Sequence, residues 1–97
     1  MKNDDDLLKD IHVLLHPIRF RIVELLAEKP MHINEISKAL GGERQLVSYH
    51  LLTLEECGFL SSDYEISNIG ESKEKAIRKY RVTEKAEEVI SELKRSL

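Results

Sequence analysis

The feature that most constrains the fold of this chain is the pair of adjacent glycines Gly41 and Gly42, which a helical pattern follows at once. Two glycines supply the backbone freedom that a tight turn needs. Apolar side chains then recur at helical spacing. This predicts a helix over residues 43–57 with one face in a core and Gly58 as its C-terminal stop. The core-facing positions of this helix are Val47, His50, Leu51 and Leu54.

The opposite face of the same helix carries side chains that donate hydrogen bonds, namely Arg44, Gln45, Ser48 and Tyr49. A helix held through its apolar side can present such donors to base edges, where Arg suits guanine and Gln suits adenine. Arg44 and Gln45 lie in the first turn, where base contacts concentrate, and Tyr49 suits a phosphate or a thymine methyl group. The alternative is an ordinary solvated helix face, which is the usual role of polar residues at this spacing.

A short helix is expected just before the glycine turn, over residues 35–40, with Asn34 as its N-cap. A short helix, a glycine turn and a second helix with an exposed polar face are typical of a helix-turn-helix. We therefore interpret residues 34–57 as a DNA-binding helix-turn-helix whose second helix reads the bases.

The remaining patterns predict a mainly α fold with a small β-hairpin wing, in the order α-α-β-α-α-β-β-α. A chain of 97 residues has the length of one domain. The elements expected around the helix-turn-helix are a first helix over residues 4–16, a second over 17–28, a short extended piece over 31–33, a hairpin wing over 59–82, and a last helix over 83–97 with Thr83 as its cap.

The first and last predicted helices carry more apolar surface than one small core can cover. A second copy of the chain would cover the surplus, so we predict a homodimer that forms through these two helices. The residues expected in its interface are Leu7, Leu8, Ile11, Leu14, Leu15, Val89, Ile90 and Leu93.

The charge of the chain is acidic overall but unevenly distributed. The net charge is −3 and the pI about 5.8, whereas a protein that binds nucleic acid by simple electrostatics is usually basic. Positive charge is nevertheless concentrated in the wing, at Lys73, Lys75, Arg78 and Lys79. These side chains are predicted to contact phosphates, and the alternative is that they keep the hairpin soluble and block edge pairing.

Cysteine and histidine usage argues against a metal site or a disulfide. Cys57 is the only cysteine, so no intramolecular disulfide forms, and we interpret it as a small packed residue, with a redox switch between subunits as the alternative. His12 and His16 have the spacing of two metal ligands but lack further ligands nearby, so we interpret them as structural or solvent-facing. His50 is expected to be packed and hydrogen-bonded. No metal or cofactor is predicted.

No motif indicates an enzyme, since the chain has no phosphate-binding glycine loop, nucleophile elbow or paired-histidine helix. The sequence also has no signal peptide and no apolar run of membrane-spanning length. We therefore expect a cytoplasmic protein that does not bind membranes.

Three segments resemble the winged helix-turn-helix regulators of the ArsR-like superfamily. Residues 16–26 (HPIRFRIVELL) are similar to the pattern "P-x-R-x-x-I-L-x-x-L" before its second helix, and residues 47–60 (VSYHLLTLEECGFL) to "V-S-x-H-L-x-x-L-x-x-x-G-L-V". Residues 79–83 (KYRVT) are similar to the "Y-x-L-T" pattern after the wing. The family's metal-binding cysteine pair is missing from residues 32–36, and the last helix has no histidine.

The resemblance implies a homodimeric transcription regulator, usually a repressor, that dimerises through its first and last helices. It would place the recognition helix in the major groove and the wing near the backbone or minor groove of double-stranded DNA. Its operator would be pseudo-palindromic, with half-sites one turn (~10 bp) or a multiple apart. An unidentified small-molecule effector could bind between the first and last helices.

Two other functions remain open at this point. The acidic net charge favours a winged-helix module that assembles with proteins and does not bind DNA. A metal-responsive regulator with a site at His12 and His16 is the third alternative, and it would change its DNA affinity with zinc.

Overall fold

The computed structural model describes residues 4–69 and 73–96, and within these ranges the side chains other than those of 67–69 and 73–75. The order of elements confirms the predicted winged helix-turn-helix, and the short strand before the third helix joins the hairpin in a three-stranded sheet. The elements are α1 (Asp4–Leu14), α2 (Pro17–Glu28), β1 (Met31–His32), α3 (Ile33–Leu40), α4 (Arg44–Glu56), β2 (Leu60–Ile69), β3 (Lys73–Val82) and α5 (Glu84–Ser96).

The start of α2 follows from the His16-Pro17 step. Pro17 lies in the first turn, where its missing N–H costs no hydrogen bond and its fixed φ suits a helix. His16 is the N-cap, because its Nδ1 accepts a hydrogen bond from the Ile18 backbone N–H at 3.2 Å. The predicted range of this helix is therefore confirmed at both ends.

The start of α3 differs from the prediction. The helix begins at Ile33, so Asn34 lies inside it and His32 takes the N-cap position. His32 is also the second residue of β1, which pairs with β3 opposite Lys79. A Glu35 carboxylate oxygen accepts the His32 backbone N–H at 3.3 Å, which ties the cap to the first turn of the helix. The strand pairing thus moves the helix start away from the better local N-cap.

The turn between α3 and α4 uses glycine as expected. Gly41 has a φ of +67°, a left-handed conformation that strains residues with a side chain. Its N–H donates to the Lys38 carbonyl at 3.3 Å, and the Gly42 N–H donates to the Ser37 carbonyl at 3.2 Å. These bonds satisfy the last carbonyls of α3 and turn the chain directly into α4.

The wing is more regular than the sequence suggests. β2 and β3 are ten residues each and pair antiparallel from Leu60–Val82 at the root to Ile69–Lys73. Polar and charged residues interrupt the apolar alternation in the outer part of both strands. Backbone pairing continues regardless, since it does not depend on an apolar face. β1 joins β3 on its other edge, giving the order β1-β3-β2.

The core lies between α2, the inner face of α4 and the root of the wing. Its largest fully buried side chains are Phe59, Leu14, Ile22, Leu26, Ile36, Leu51, Leu54, Val23 and Val47. Ala86 and Val89 add the inner side of α5, which Thr83 caps as predicted: its hydroxyl accepts the Ala86 N–H at 3.3 Å and donates to the Gly58 carbonyl at 2.6 Å.

Two residues predicted for the dimer interface belong to this core. Leu14 and Val89 are buried within the subunit itself, so they have no surface left to offer a partner. The apolar periodicity of a helix does not distinguish the turns that pack inward from those that remain uncovered. For these two positions the prediction is corrected to a core role.

Candidate nucleic-acid interface

Helix α4 has the two faces that the sequence indicates. Val47, His50, Leu51 and Leu54 are buried, and Arg44, Gln45, Ser48 and Tyr49 are exposed. The four donors therefore lie on one solvent-facing surface of a helix that is fixed from behind. No partner for the side chains of Arg44 and Gln45 is found among the described residues, so their donors are free to bind a ligand.

His50 fixes α4 against the start of α2. Arg19 donates from Nε to His50 Nδ1 at 3.1 Å and from a terminal nitrogen to the Val13 carbonyl at 3.5 Å. The His16 ring packs beside His50 with the ring centres 4.5 Å apart. His50 is thus packed and hydrogen-bonded, as predicted.

The electrostatics around His50 keep its ring neutral. Burial lowers the pKa of His50, and the electrostatic effects of the neighbouring His16 ring and Arg19 guanidinium lower it further. Because Nδ1 accepts the Arg19 hydrogen bond, the ring proton resides on Nε2. That nitrogen is buried and has no hydrogen-bond partner within the described part of the chain. Protonation of Nδ1 would place a second donor against Arg19, so acid would break the hydrogen bond between Arg19 and His50.

A hydrogen-bonded network joins α4 to the root of the wing. We call it the wing-root network, and it consists of Glu55, Ser62 and Arg78. Arg78 donates to a Glu55 carboxylate oxygen at 2.7 Å and to the Ser62 hydroxyl at 2.8 Å. Ser62 donates to the other Glu55 oxygen at 2.6 Å. The guanidinium also lies over the Tyr80 ring, 5.3 Å from its centre.

The wing-root network was missed at the sequence level. Its members come from three elements, and only the β2–β3 register brings Ser62 and Arg78 to the same side of the sheet. Tyr80 lies on that side too, and burial raises the pKa of its hydroxyl, so it remains neutral. The network ties the root of the wing to α4 through side-chain hydrogen bonds.

The positive charges of the described part of the wing are neutralised within the protein. Arg78 is paired with Glu55, Lys79 with Glu65 at 3.4 Å, and Arg81 with Asp63 at 2.8 Å. The clustering of these basic residues in the sequence suggested free cations, because their acidic partners come from β2 and α4. A phosphate contact by Arg78 or Lys79 would have to displace a carboxylate. The side chains of Lys73 and Lys75 lie outside the described residues.

A groove of about 500 Å³ separates the start of α4 from the wing. Arg44 and Ser48 lie on one side, Tyr64, Ala76 and Arg78 on the other, and Asn34 with its neighbours in α3 forms the end. Tyr64 and Ile66 continue outward along β2 and are 72% and 70% exposed. The donor face of α4 and the apolar arm of the wing are therefore the two sides of one concave surface.

A second surface, on α1 and α5, carries uncovered apolar side chains. Leu8 and Leu15 on α1 and its end are each 63% exposed. Leu15 also lines a groove of about 340 Å³ with Phe20, Ile90 and Leu93. Leu7 and Ile11 are half-buried beside it. Six of the eight residues predicted for the dimer interface thus keep surface outside the subunit.

The structure offers no metal site among the described residues, where no group of three or more His, Cys, Asp or Glu side chains converges. His12 is exposed on α1, whereas His16 uses Nδ1 as the cap of α2. Cys57 is half-buried at the end of α4. Within the same described ranges, no helix has the length and apolar character to cross a membrane.

Comparisons with known proteins agree with this geometry. The family model of the bacterial regulatory protein, arsR family, matches residues 16–62, from the cap of α2 to the first residues of β2. The transcriptional repressor BigR from Xylella fastidiosa is 30% identical, with a TM-score of 0.65 over 90% of this chain and 76% of that one. The chain belongs to the ArsR family. It therefore has the fold of a family of DNA-binding transcriptional regulators.

Other solved structures share the fold of this ArsR-family chain at lower identity. HlyU from Vibrio cholerae is 20% identical, with a TM-score of 0.75 over 97% of this chain and 94% of that one. The homodimeric winged helix-turn-helix DNA-binding domain of Mb0332 from Mycobacterium bovis is 19% identical, with a TM-score of 0.72 over 96% and 84% of the two chains. Comparison with curated protein sequences gives no significant match.

Proposed function

We propose that this protein is a cytoplasmic, homodimeric repressor that binds double-stranded DNA in a sequence-specific manner. The observation that carries the proposal is the donor face of α4: Arg44, Gln45, Ser48 and Tyr49 are exposed together on a helix whose other face is buried. The diameter of an α-helix fits the major groove, and the first turn of a recognition helix reaches the base edges. We assign base contacts to Arg44 and Gln45, and supporting contacts to Ser48 and Tyr49.

Dimerisation through α1 and α5 is part of the proposal. Exposed leucines on α1 and the apolar groove beside α5 supply a self-complementary surface on the side of the subunit away from the wing. The homodimeric state of the Mb0332 domain supports a homodimer here. Two-fold symmetry then implies a pseudo-palindromic operator with half-sites one or more helical turns apart. The BigR relative is a repressor, which supports the same direction of control here.

A second function is favoured by one specific observation, the ion pairing of Arg78, Lys79 and Arg81 in the described part of the wing. A chain with a net charge of −3 and ion-paired wing residues lacks the basic surface that gives most proteins their affinity for DNA. A winged-helix module that assembles with another protein would have this charge distribution. The two functions differ in whether the isolated protein binds duplex DNA.

The test is selection of bound duplexes from a random pool, followed by fluorescence anisotropy on the recovered site. We expect Arg44→Ala to weaken binding about 10- to 100-fold, because a bidentate base contact contributes ~1–3 kcal/mol. Lys29→Ala is the matched control, since Lys29 is an exposed cation at the end of α2, outside α4, the wing and the dimerisation helices. Absence of binding by the wild type at low salt would exclude the DNA-binding function and leave the assembly module.

A further inference from the structure

Two histidines and an arginine form a cluster where α1, α2 and α4 meet. We call it the histidine cluster, and it consists of His16, Arg19 and His50. Leu15 and His16 are the whole connection between α1 and α2. The His16 ring lies beside the His50 ring, with the ring centres 4.5 Å apart. Arg19 donates to His50 Nδ1 at 3.1 Å and to the Val13 carbonyl of α1 at 3.5 Å, so the cluster contacts all three helices.

Both histidines of the cluster use Nδ1 as a hydrogen-bond acceptor. His16 Nδ1 accepts the Ile18 backbone N–H at 3.2 Å and thereby caps α2. His50 Nδ1 accepts from Arg19. A protonated imidazole carries a proton on each nitrogen and only donates, so each of these two hydrogen bonds requires a neutral ring. The observed arrangement is therefore that of two neutral histidines.

The surroundings of His50 oppose a positive charge on its ring. The titratable groups that face it are His16 and Arg19 from the start of α2 and Tyr49 from its own helix, whose ring lies edge-on with the centres 5.2 Å apart. No carboxylate of the described residues is among the groups that act on its charge. Burial lowers the pKa of His50, and the neighbouring His16 ring and Arg19 guanidinium lower it further. Acid would therefore add a charge that nothing in the cluster compensates.

The direction of the acid effect follows from this lowered pKa. A histidine that has left the cluster regains the ordinary pKa of ~6.5, whereas His50 inside the cluster has a lower one. Below ~6.5 an opened cluster thus binds protons more strongly than the closed one. Each pH unit in this window favours opening by up to about tenfold for His50 alone, until the pH falls below its pKa in the closed cluster.

Opening of the cluster acts on the joint between α1 and the helix-turn-helix. The hydrogen bonds it breaks are the cap beside the α1–α2 connection and the bond from Arg19 to α4. The wing-root network, which holds α4 to the wing through Glu55, contains no histidine and stays closed. Leu8 on α1 and Leu15 in the connection are exposed residues of the proposed dimer interface. A change at this joint therefore changes the distance and angle between the two recognition helices of the proposed dimer.

We propose that protonation of His16 and His50 below about pH 6.5 opens the joint between α1 and the helix-turn-helix and releases the operator. The inference rests on the proposed DNA-binding dimer and adds a signal to it, the proton. The expected sign is opposite to the general effect of acid on DNA binding. Protonated histidines ordinarily add positive charge and strengthen the attraction to phosphates. Weaker binding in acid is therefore the distinguishing result.

The test measures affinity for the selected duplex by anisotropy between about pH 7.5 and about pH 5.5, a range that spans the ordinary histidine pKa. Binding by the wild type should weaken by at least about tenfold across this range. The double variant His16→Asn and His50→Asn should lose most of this dependence, because an asparagine oxygen accepts a hydrogen bond in place of Nδ1 and does not titrate. His12→Gln, at an exposed position of α1 outside the cluster, is the control and should keep the wild-type dependence.

Three measurements on the wild type need no variant. Nitrogen NMR of the imidazole rings should show Nδ1 of His16 and His50 without a proton at the neutral end of the range and protonated at the acid end. Circular dichroism and the mass from light scattering should stay constant. A duplex that carries one half-site should keep its affinity across the range, because each recognition helix remains intact on its wing.

Affinity that stays constant or rises in acid would overturn the proposal and leave the DNA-binding function intact. Full acid sensitivity in the double asparagine variant would overturn it too, because another group would then be responsible. Equal losses on the operator and on the single half-site would place the effect in α4 itself and overturn the role of the joint.

Two outcomes of the physical measurements also count against the proposal. Loss of helical signal in acid would identify global unfolding as the cause, and a halved mass would identify dissociation of the dimer, so either one overturns the opening of the joint. Failure of the wild type to bind any duplex at the neutral end of the range would overturn the proposed function, and the release of the operator with it.

Discussion

The wing-root network makes a quantitative prediction about how α4 and the wing stabilise each other. The perturbation is a double-mutant cycle of Glu55→Gln and Arg78→Ala. In the wild type, Arg78 donates to Glu55 at 2.7 Å and to Ser62 at 2.8 Å, and Ser62 donates to the second Glu55 oxygen at 2.6 Å. The cycle isolates the Glu55–Arg78 coupling, because the contact of Arg78 with Tyr80 is lost equally in both arms.

The expected magnitude follows from the exposure of the two side chains, 42% for Arg78 and 24% for Glu55. Exposed ion pairs contribute ~0.2–1 kcal/mol, and well-buried charged hydrogen bonds ~1.5–3 kcal/mol. Solvent partly screens the Glu55–Arg78 pair, but both side chains also hydrogen-bond to the Ser62 hydroxyl, so we expect a coupling of about 1 kcal/mol. Each single substitution should then lower the midpoint of thermal unfolding by about 4–8 °C in a domain of this size.

The chain contains a matched control for this cycle. Arg81 and Asp63 also form an arginine–carboxylate pair at 2.8 Å, but their side chains are 45% and 60% exposed and no third hydrogen bond supports them. The coupling in the Asp63→Asn and Arg81→Ala cycle should be only a few tenths of a kcal/mol. Urea unfolding at one fixed protein concentration measures both cycles, since dimerisation makes stability depend on concentration. A Glu55–Arg78 coupling no larger than the control would refute the reasoning.

Two other predictions concern acid stability and subunit association. The pKa of His50 is lowered in the folded protein, so the unfolded chain binds more protons as the pH falls below ~6.5. Protonation of His50 in the unfolded chain therefore lowers the free energy of unfolding by at most ~1.4 kcal/mol per pH unit. This loss ends once the pH has fallen below the pKa of His50 in the folded protein. His50→Gln should reduce this slope in urea titrations, and an identical slope would contradict it. Leu15→Asp should halve the mass measured by light scattering, whereas Leu52→Asp, at an equally apolar exposed site on α4, should leave the mass unchanged.

The parts of the fold that could be predicted from the sequence are those that depend on neighbouring residues. The turn at Gly41, the start of α2 at His16-Pro17 and the cap of α5 at Thr83 are each determined within a few positions of the chain. The donor face of α4 follows from helical periodicity alone, and its exposure agrees with the pattern. Local chemistry of this kind is readable because no distant strand or helix competes with it.

The parts that could not be predicted depend on strand pairing. α3 begins at Ile33 because β1 pairs with β3, and His32, a weaker local N-cap than Asn34, takes the cap position. The ion pairing in the described part of the wing depends on the register that brings Arg81 beside Asp63 and on the approach of Glu55 from α4. A count of basic residues in the sequence reveals neither the strand register nor the approach of Glu55, because it contains no information about which carboxylates lie across the sheet.

His32 belongs to β1 and caps α3, so no residue lies between the sheet that carries the wing and the helix-turn-helix. A connection without a linker cannot act as a hinge. Glu55 also binds α4 to the wing root, so in the proposed DNA-binding dimer each subunit holds α4 and the wing at a fixed angle. The distance and angle between the two subunits are then what can change in the proposed dimer. We therefore expect a signal that alters the fit of the proposed dimer to its operator to act where the subunits meet.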